Sequence, residues 1–178
     1  MPARLLKVHP AADEQLRASI VPTTNQEVYR YLALSYCWGG DQQHKTTDKT
    51  ILETKGTVDV SRLPRTIQNA VTVTINLGYN YLWVDSVCIV QDNEQDRTAE
   101  IAKMPAIYSN AVCTITASCP ADAWEGFLGD RVKYTKNIME LRVRHTSDDE
   151  DREVRKVYAY PVEDEDYSLV EPLAKRGW

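Results

Sequence analysis

Residues 81–92 read YLWVDSVCIVQD. The first four form an unbroken apolar run, and a run that short fits a strand covered on both faces, as in a parallel sheet. Asp85 follows at once. A carboxylate in that place must be paired or specially hydrogen-bonded, because burying a bare charge is costly. Upstream, residues 63–77 read as a helix. Pro64 suits a first turn, and Ile67, Ala70, Val71, Thr74 and Leu77 recur at helical spacing. Gly78 supplies a left-handed stop. Further back, residues 27–36 (EVYRYLALSY) alternate and then become continuously apolar, which predicts a strand entering a buried sheet. The turn at 37–41 (CWGGD) closes that strand, and a polar loop runs on to about Lys55. Residues 10–17 predict a short N-terminal helix.

Downstream, Asp92 or Asn93 caps the next helix, with Glu94 and Asp96 in its positive first turn. Ile101, Met104 and Tyr108 mark its buried stripe, and Pro105 is placed to kink or split it. Residues 111–118 (AVCTITAS) form a third β-branched run. Strand, helix, strand, helix, strand predicts an α/β fold with a mainly parallel sheet and helices on both faces. The core strands are 31–35, 81–84 and 112–116. Segments 141–145 and 154–160 predict a peripheral antiparallel hairpin, joined by the acidic turn 146–153.

The 178 residues are 43% hydrophobic and 26% charged, an ordinary globular balance. That length suits one domain, 1–178, with its core motifs between 31 and 131. Lys and Arg number 21 against 26 Asp and Glu, a net charge of −5. Such a balance gives no basic face for nucleic acid. No apolar run approaches the roughly 18 residues of a spanning helix. The start, MPARLLKVHPAADEQ, lacks the apolar core of a signal peptide. A cytoplasmic protein without a membrane span is expected, and the four cysteines (37, 88, 113, 119), none in a CxxC pair, are expected to be reduced and buried.

His9, His44 and His145 stand far apart with no partner at ligand spacing, which argues against a histidine-bound catalytic metal. Cys37 and Cys88 each follow a strand, and either could serve a Cys-His nucleophile pair or fill the core as a small hydrophobe. Topology points further. In open α/β sheets the ligand crevice lies beyond the carboxyl ends of the strands. Those ends bring Tyr36, Trp38, Asp41, Asp85, Gln91 and Asp92 to one candidate cleft, with Glu100 about two turns into the following helix. Asp85 can hold loop amides or contact a ligand. Trp38 can be a stacking platform or a core plug. A glutamate at the place of Glu100 is ordinarily solvated.

Several of these stretches occur together in a known order. YLALSYCWGG at 31–40, LPRTIQNA at 63–70, YLWVDSVCIVQD at 81–92, EIAKM and IYSNA within 100–111, GFLGDR at 126–131 and the final RGW resemble the fungal heterokaryon incompatibility (HET) domain. The family pattern falls on Tyr36, Trp38, Gly39, Pro64, Asp85, Cys88, Ile89, Gln91, Asp92, Met104, Tyr108 and Ala111. Pro105 is a departure from it. Family members continue past Arg-Gly-Trp, so the chain is expected to be cut short at its C-terminal end.

The resemblance implies an effector of non-self recognition that triggers programmed cell death, working with other proteins of that pathway or by self-association. It also implies a distant relation to TIR domains, whose flavodoxin-like sheet agrees with the element order above. Some TIR domains cleave NAD with a helix-borne glutamate. An NAD glycohydrolase is therefore one alternative, with NAD as substrate and no cofactor required. Glu100 would be its candidate acid, Asp85 the alternative, and Trp38 or Tyr36 the stacking surface. A non-enzymatic assembly module is the other.

Overall fold

The computed structural model describes residues 1–9, 16–24, 26–41 and 44–129, together with two later strands. In chain order the elements are β1 (Arg4–His9), β2 (Arg17–Pro22), β3 (Leu32–Tyr36), α1 (Asp48–Thr54), β4 (Thr57–Asp59), α2 (Arg65–Asn76), β5 (Tyr81–Trp83), the single-turn helix α3 (Asp85–Cys88), α4 (Glu94–Asn110) and β6 (Cys113–Ala117). The first six strands form one sheet in the order β4-β2-β1-β5-β3-β6. The last two, β7 (Met139–Arg144) and β8 (Val154–Ala159), pair antiparallel as a hairpin. Its acidic turn lies outside the described residues. The chain divides into two compact units, one holding Met1–Leu128 and the other, Gly129–Val170, holding β7 and β8.

The sheet is mixed, which corrects the expectation of a mainly parallel one. β3 runs parallel to β5 on one side and to β6 on the other, as the alternating element order predicts. The other half is antiparallel: β1 pairs in that sense with both β5 and β2, and β2 with β4. The physical reason is an N-terminal hairpin that inserts beside β5. Neighbouring residues Leu5 and Leu6 are both fully buried. A strand covered on both faces shows no alternation, and six residues are too few to stand out. The predicted helix at 10–17 fails at its end, because Arg17 opens β2. Residues 10–15 lie outside the described set.

Successive residues Leu82 and Trp83 point to opposite faces, and both are fully buried, so the sheet is covered on each side at β5. Tyr108 of α4 meets the Trp83 ring edge-on, with centroids 5.4 Å apart. α2 packs against β1, β3 and β5 through the buried Ile67, Ala70 and Val71. Gly78 adopts φ +78 just beyond its C-cap, the predicted stop. Among the described residues no helix is long and apolar enough to cross a membrane.

Three local readings need correction. α1 replaces part of the predicted loop. It starts in a capping box between Thr47 and Thr50 but buries no residue, so it has no apolar stripe to read. Of the two outcomes open at Pro105, a kink or a split, the split does not occur: α4 is one helix through that residue. Its inward face is also turned by one position: Ile101 is 52% exposed, whereas Glu100 and Ile107 are buried and Met104 and Tyr108 half-buried. Spacings of four, seven and eight from Glu100 make one helical face, and a carboxylate heads it. Finally, among the described residues β6 lies at the edge of the sheet, and Cys113 and Cys119 are exposed thiols.

Candidate functional site

The carboxyl end of β5 passes straight into α3, whose first residue is Asp85. Asp85 is 8% exposed. Its Oδ1 accepts the Ser86 amide at 2.7 Å, and its Oδ2 accepts the indole Nε1–H of Trp38 at 3.0 Å. The carboxylate that follows the apolar run is thus buried and hydrogen-bonded, both to a backbone amide and to the Trp38 turn. Ser86 extends the cluster, its Oγ lying 2.8 Å from the Tyr36 hydroxyl. Its carbonyl accepts the Thr46 amide at 2.9 Å, and the Thr46 hydroxyl donates to Val87 O at 2.6 Å. Gln91 closes the ring of contacts by donating its side-chain amide to Asp85 O at 3.0 Å and Ile89 O at 3.2 Å.

Tyr36, Trp38, Asp85 and Gln91 are thus brought together around one helical turn. Asp92 stands at the junction with α1, accepting the Asp48 amide at 3.0 Å. Asp41 is exposed and pairs with Lys45 at 2.6 Å. Glu100 belongs to a different set of contacts. It is 1% exposed, contrary to the solvated side chain expected at that point of a helix. Its Oε2 accepts the Ala3 amide at 2.9 Å and its Oε1 the Lys103 ammonium at 2.8 Å. Its role is to hold the N-terminal segment against α4.

A second loop covers the Trp38 turn. Gly39 adopts φ +76, and a Cβ there would meet Asp122 Oδ2 at 2.3 Å and Asp122 Cα at 2.8 Å. Only glycine fits that contact. The Ala123 amide donates to Trp38 O at 3.4 Å, and Ala123 O accepts the Thr66 amide at the start of α2. Asn69 Oδ1 then accepts the amides of Phe127 and Leu128 at 2.8 and 3.1 Å. Three separated stretches of sequence, 36–39, 64–69 and 122–128, are tied into one corner. Ser86, Thr46 and Asn69 were not among the predicted site residues. Polar side chains that bond to distant backbone carry no periodic signal.

Two titrations follow from this packing. Burial pushes the Cys88 thiol up to about 12, so it stays protonated at neutral pH and serves as a small core side chain. Burial acts to raise Asp96, but the Arg4 guanidinium and the Val90 amide together outweigh it and hold the carboxyl below its ordinary range. Arg4 also donates from Nε to Cys88 O at 2.9 Å, which fastens β1 to α3.

Comparison with known proteins gives a consistent result. The family model described as heterokaryon incompatibility protein (HET) matches residues 31–178. The chain is also similar to heterokaryon incompatibility protein 6, OR allele, of Neurospora crassa, at 27% identity over 117 residues. That match covers 61% of this chain but only 17% of the relative. No solved structure matches.

Proposed function

The chain belongs to the heterokaryon incompatibility family, and on that premise we propose that it acts in non-self recognition as an effector that triggers cell death by associating with other proteins. The observation that carries this reading is the state of its carboxylates. Asp85 is engaged by Trp38 and Ser86, and Glu100 by Ala3 and Lys103. A carboxylate that stabilises a developing sugar cation must face the departing bond. These two face protein donors. Their work is to fasten a loop and an N-terminal segment, which suits a rigid module that presents a surface.

The competing reading is NAD cleavage, with Glu100 or Asp85 as the acid and Trp38 as the stacking surface. One experiment separates the two. The chain is expressed under an inducible promoter in fungal cells, and viability and the NAD pool are followed together. Death with an intact NAD pool is expected. NAD loss that precedes death, and that disappears in a folded Glu100→Gln or Asp85→Asn chain, would overturn the proposal in favour of the glycohydrolase.

A further inference from the structure

We propose that β6 is a self-association edge, pairing antiparallel with β6 of a second copy in a register centred on Ile115; this deepens, and rests on, the reading of the chain as an assembling effector. The six-stranded sheet has two ends of opposite character. At one end β4 is three residues long and carries Asp59. Short and charged edges resist further pairing. At the other end β6 reads CTITA, and the whole stretch 111–119 (AVCTITASC) carries no charged residue and no proline. Thr114, Ile115 and Thr116 are β-branched and favour a pleated, half-buried surface. Among the described residues β6 pairs only with β3. Cys113, Thr114 and Thr116 are exposed. None of the usual devices that blunt an edge, such as lysine or proline, is present on it.

The sequence of the edge is complementary to itself. With Ile115 opposite Ile115, Thr114 of one copy faces Thr116 of the other, and the pair occurs twice. Cys113 faces Ala117. Threonine pairs across antiparallel strands are favourable, and like charges never meet. Outward from the centre, Val112 faces Ser118 and Ala111 faces Cys119. Pro120 stops the ladder there, since it has no amide to donate. Ile115 is the midpoint of β6, and pairing in this register gives the two-fold symmetry of an isologous dimer. A groove of about 290 Å³, lined by Ser35, Tyr108, Thr114 and Thr116, lies beside the strand. The edge is about 17 Å long, which buries far less than the roughly 1,600 Å² of a standard interface. The association is weak and depends on concentration, so it forms where copies accumulate.

The test uses the full chain. In a parent carrying Cys113→Ser and Cys119→Ser, chains with Thr114→Cys are mixed with chains carrying Thr116→Cys and mildly oxidised. A disulfide dimer formed mainly between the two kinds is expected, because only that pair is in register. Sedimentation equilibrium of the unchanged chain should show a concentration-dependent dimer, weakened about tenfold or more by Thr116→Lys or Thr114→Lys on the edge. Thr57→Lys on β4 should leave it unchanged. A monomer at every concentration, or cross-linking no greater between the two kinds than within each, would overturn the proposal. Such a result would mean that the edge is covered by other parts of the chain. The two readings fail separately: an unchanged chain that is monomeric at every concentration yet kills counts against the edge, whereas a dimer that Thr116→Lys dissolves but that does not kill counts against the effector.

Discussion

Replacing Asp85 with alanine should destabilise the first compact unit by about 2–4 kcal/mol. The figure follows from the two donors that lose their acceptor. The Ser86 amide, on a residue 1% exposed, is left without the Oδ1 at 2.7 Å. An unsatisfied buried donor costs about 1–3 kcal/mol. The Trp38 indole loses its partner at 3.0 Å, but Trp38 is half-buried and regains some hydration, which places its share near the lower end of that range. Against a total stability of about 5–15 kcal/mol, the loss is large. Urea unfolding followed by tryptophan fluorescence measures it. A double-mutant cycle with Trp38→Phe isolates the indole bond, and a coupling of about 1–2 kcal/mol is expected. If Asp85→Ala lies within about 0.5 kcal/mol of the unchanged chain, or if the two substitutions simply add, the carboxylate is not the fastening described here.

Three further outcomes follow from the same geometry. Gly39→Ala combines a left-handed φ of +76 with a Cβ 2.8 Å from the Asp122 backbone, and should cost about 2–4 kcal/mol. Gly40→Ala, with nothing within 4 Å, should stay within about 0.5 kcal/mol, and equal effects at the two positions in urea unfolding would refute the contact. In native protein at pH 8, iodoacetamide should label the exposed Cys113 and Cys119 and spare Cys88, whose thiol is buried and pushed up to about 12; mass spectrometry showing Cys88 labelled as fast as Cys113 would contradict that burial. Asp96 has a lowered folded value, so its contribution is complete above the ordinary carboxylate range near pH 4 and is lost as pH falls through the lower folded value. Asp96→Asn should therefore be less stable at pH 7 and should lose less stability on acidification below about pH 4, as read from urea midpoints across that range.

The corner formed by 36–39, 64–69 and 122–128 joins stretches that lie far apart in the sequence. Gly39 admits Asp122, Asn69 receives Phe127 and Leu128, and Asp85 receives Trp38. Each is a contact between segments far apart in the chain. The proposed association surface lies elsewhere, along β6.

What could be read from the sequence was local in origin. The apolar runs at 31–35, 81–84 and 112–116 gave three strands in parallel order, because run length and flanking turns are properties of adjacent residues. The spacing of Ile67, Ala70, Val71 and Thr74 gave α2 and its buried face for the same reason. That Asp85 needs donors followed from a charge placed directly after YLWV; that one donor is Trp38 did not. The direction of β1 and β2, the rotation of α4 that buries Glu100, and the exposure of Cys113 were set by packing. β1 owes its place to its pairing with β5, more than seventy positions along the chain. The carboxylate of Glu100 is buried because the amide of Ala3, 97 residues away, meets it there. Periodicity records only which side chains share a face of their own element. Which neighbour covers that face, and whether any does, is fixed when distant segments compete for the same apolar surface and the same unpaired backbone groups.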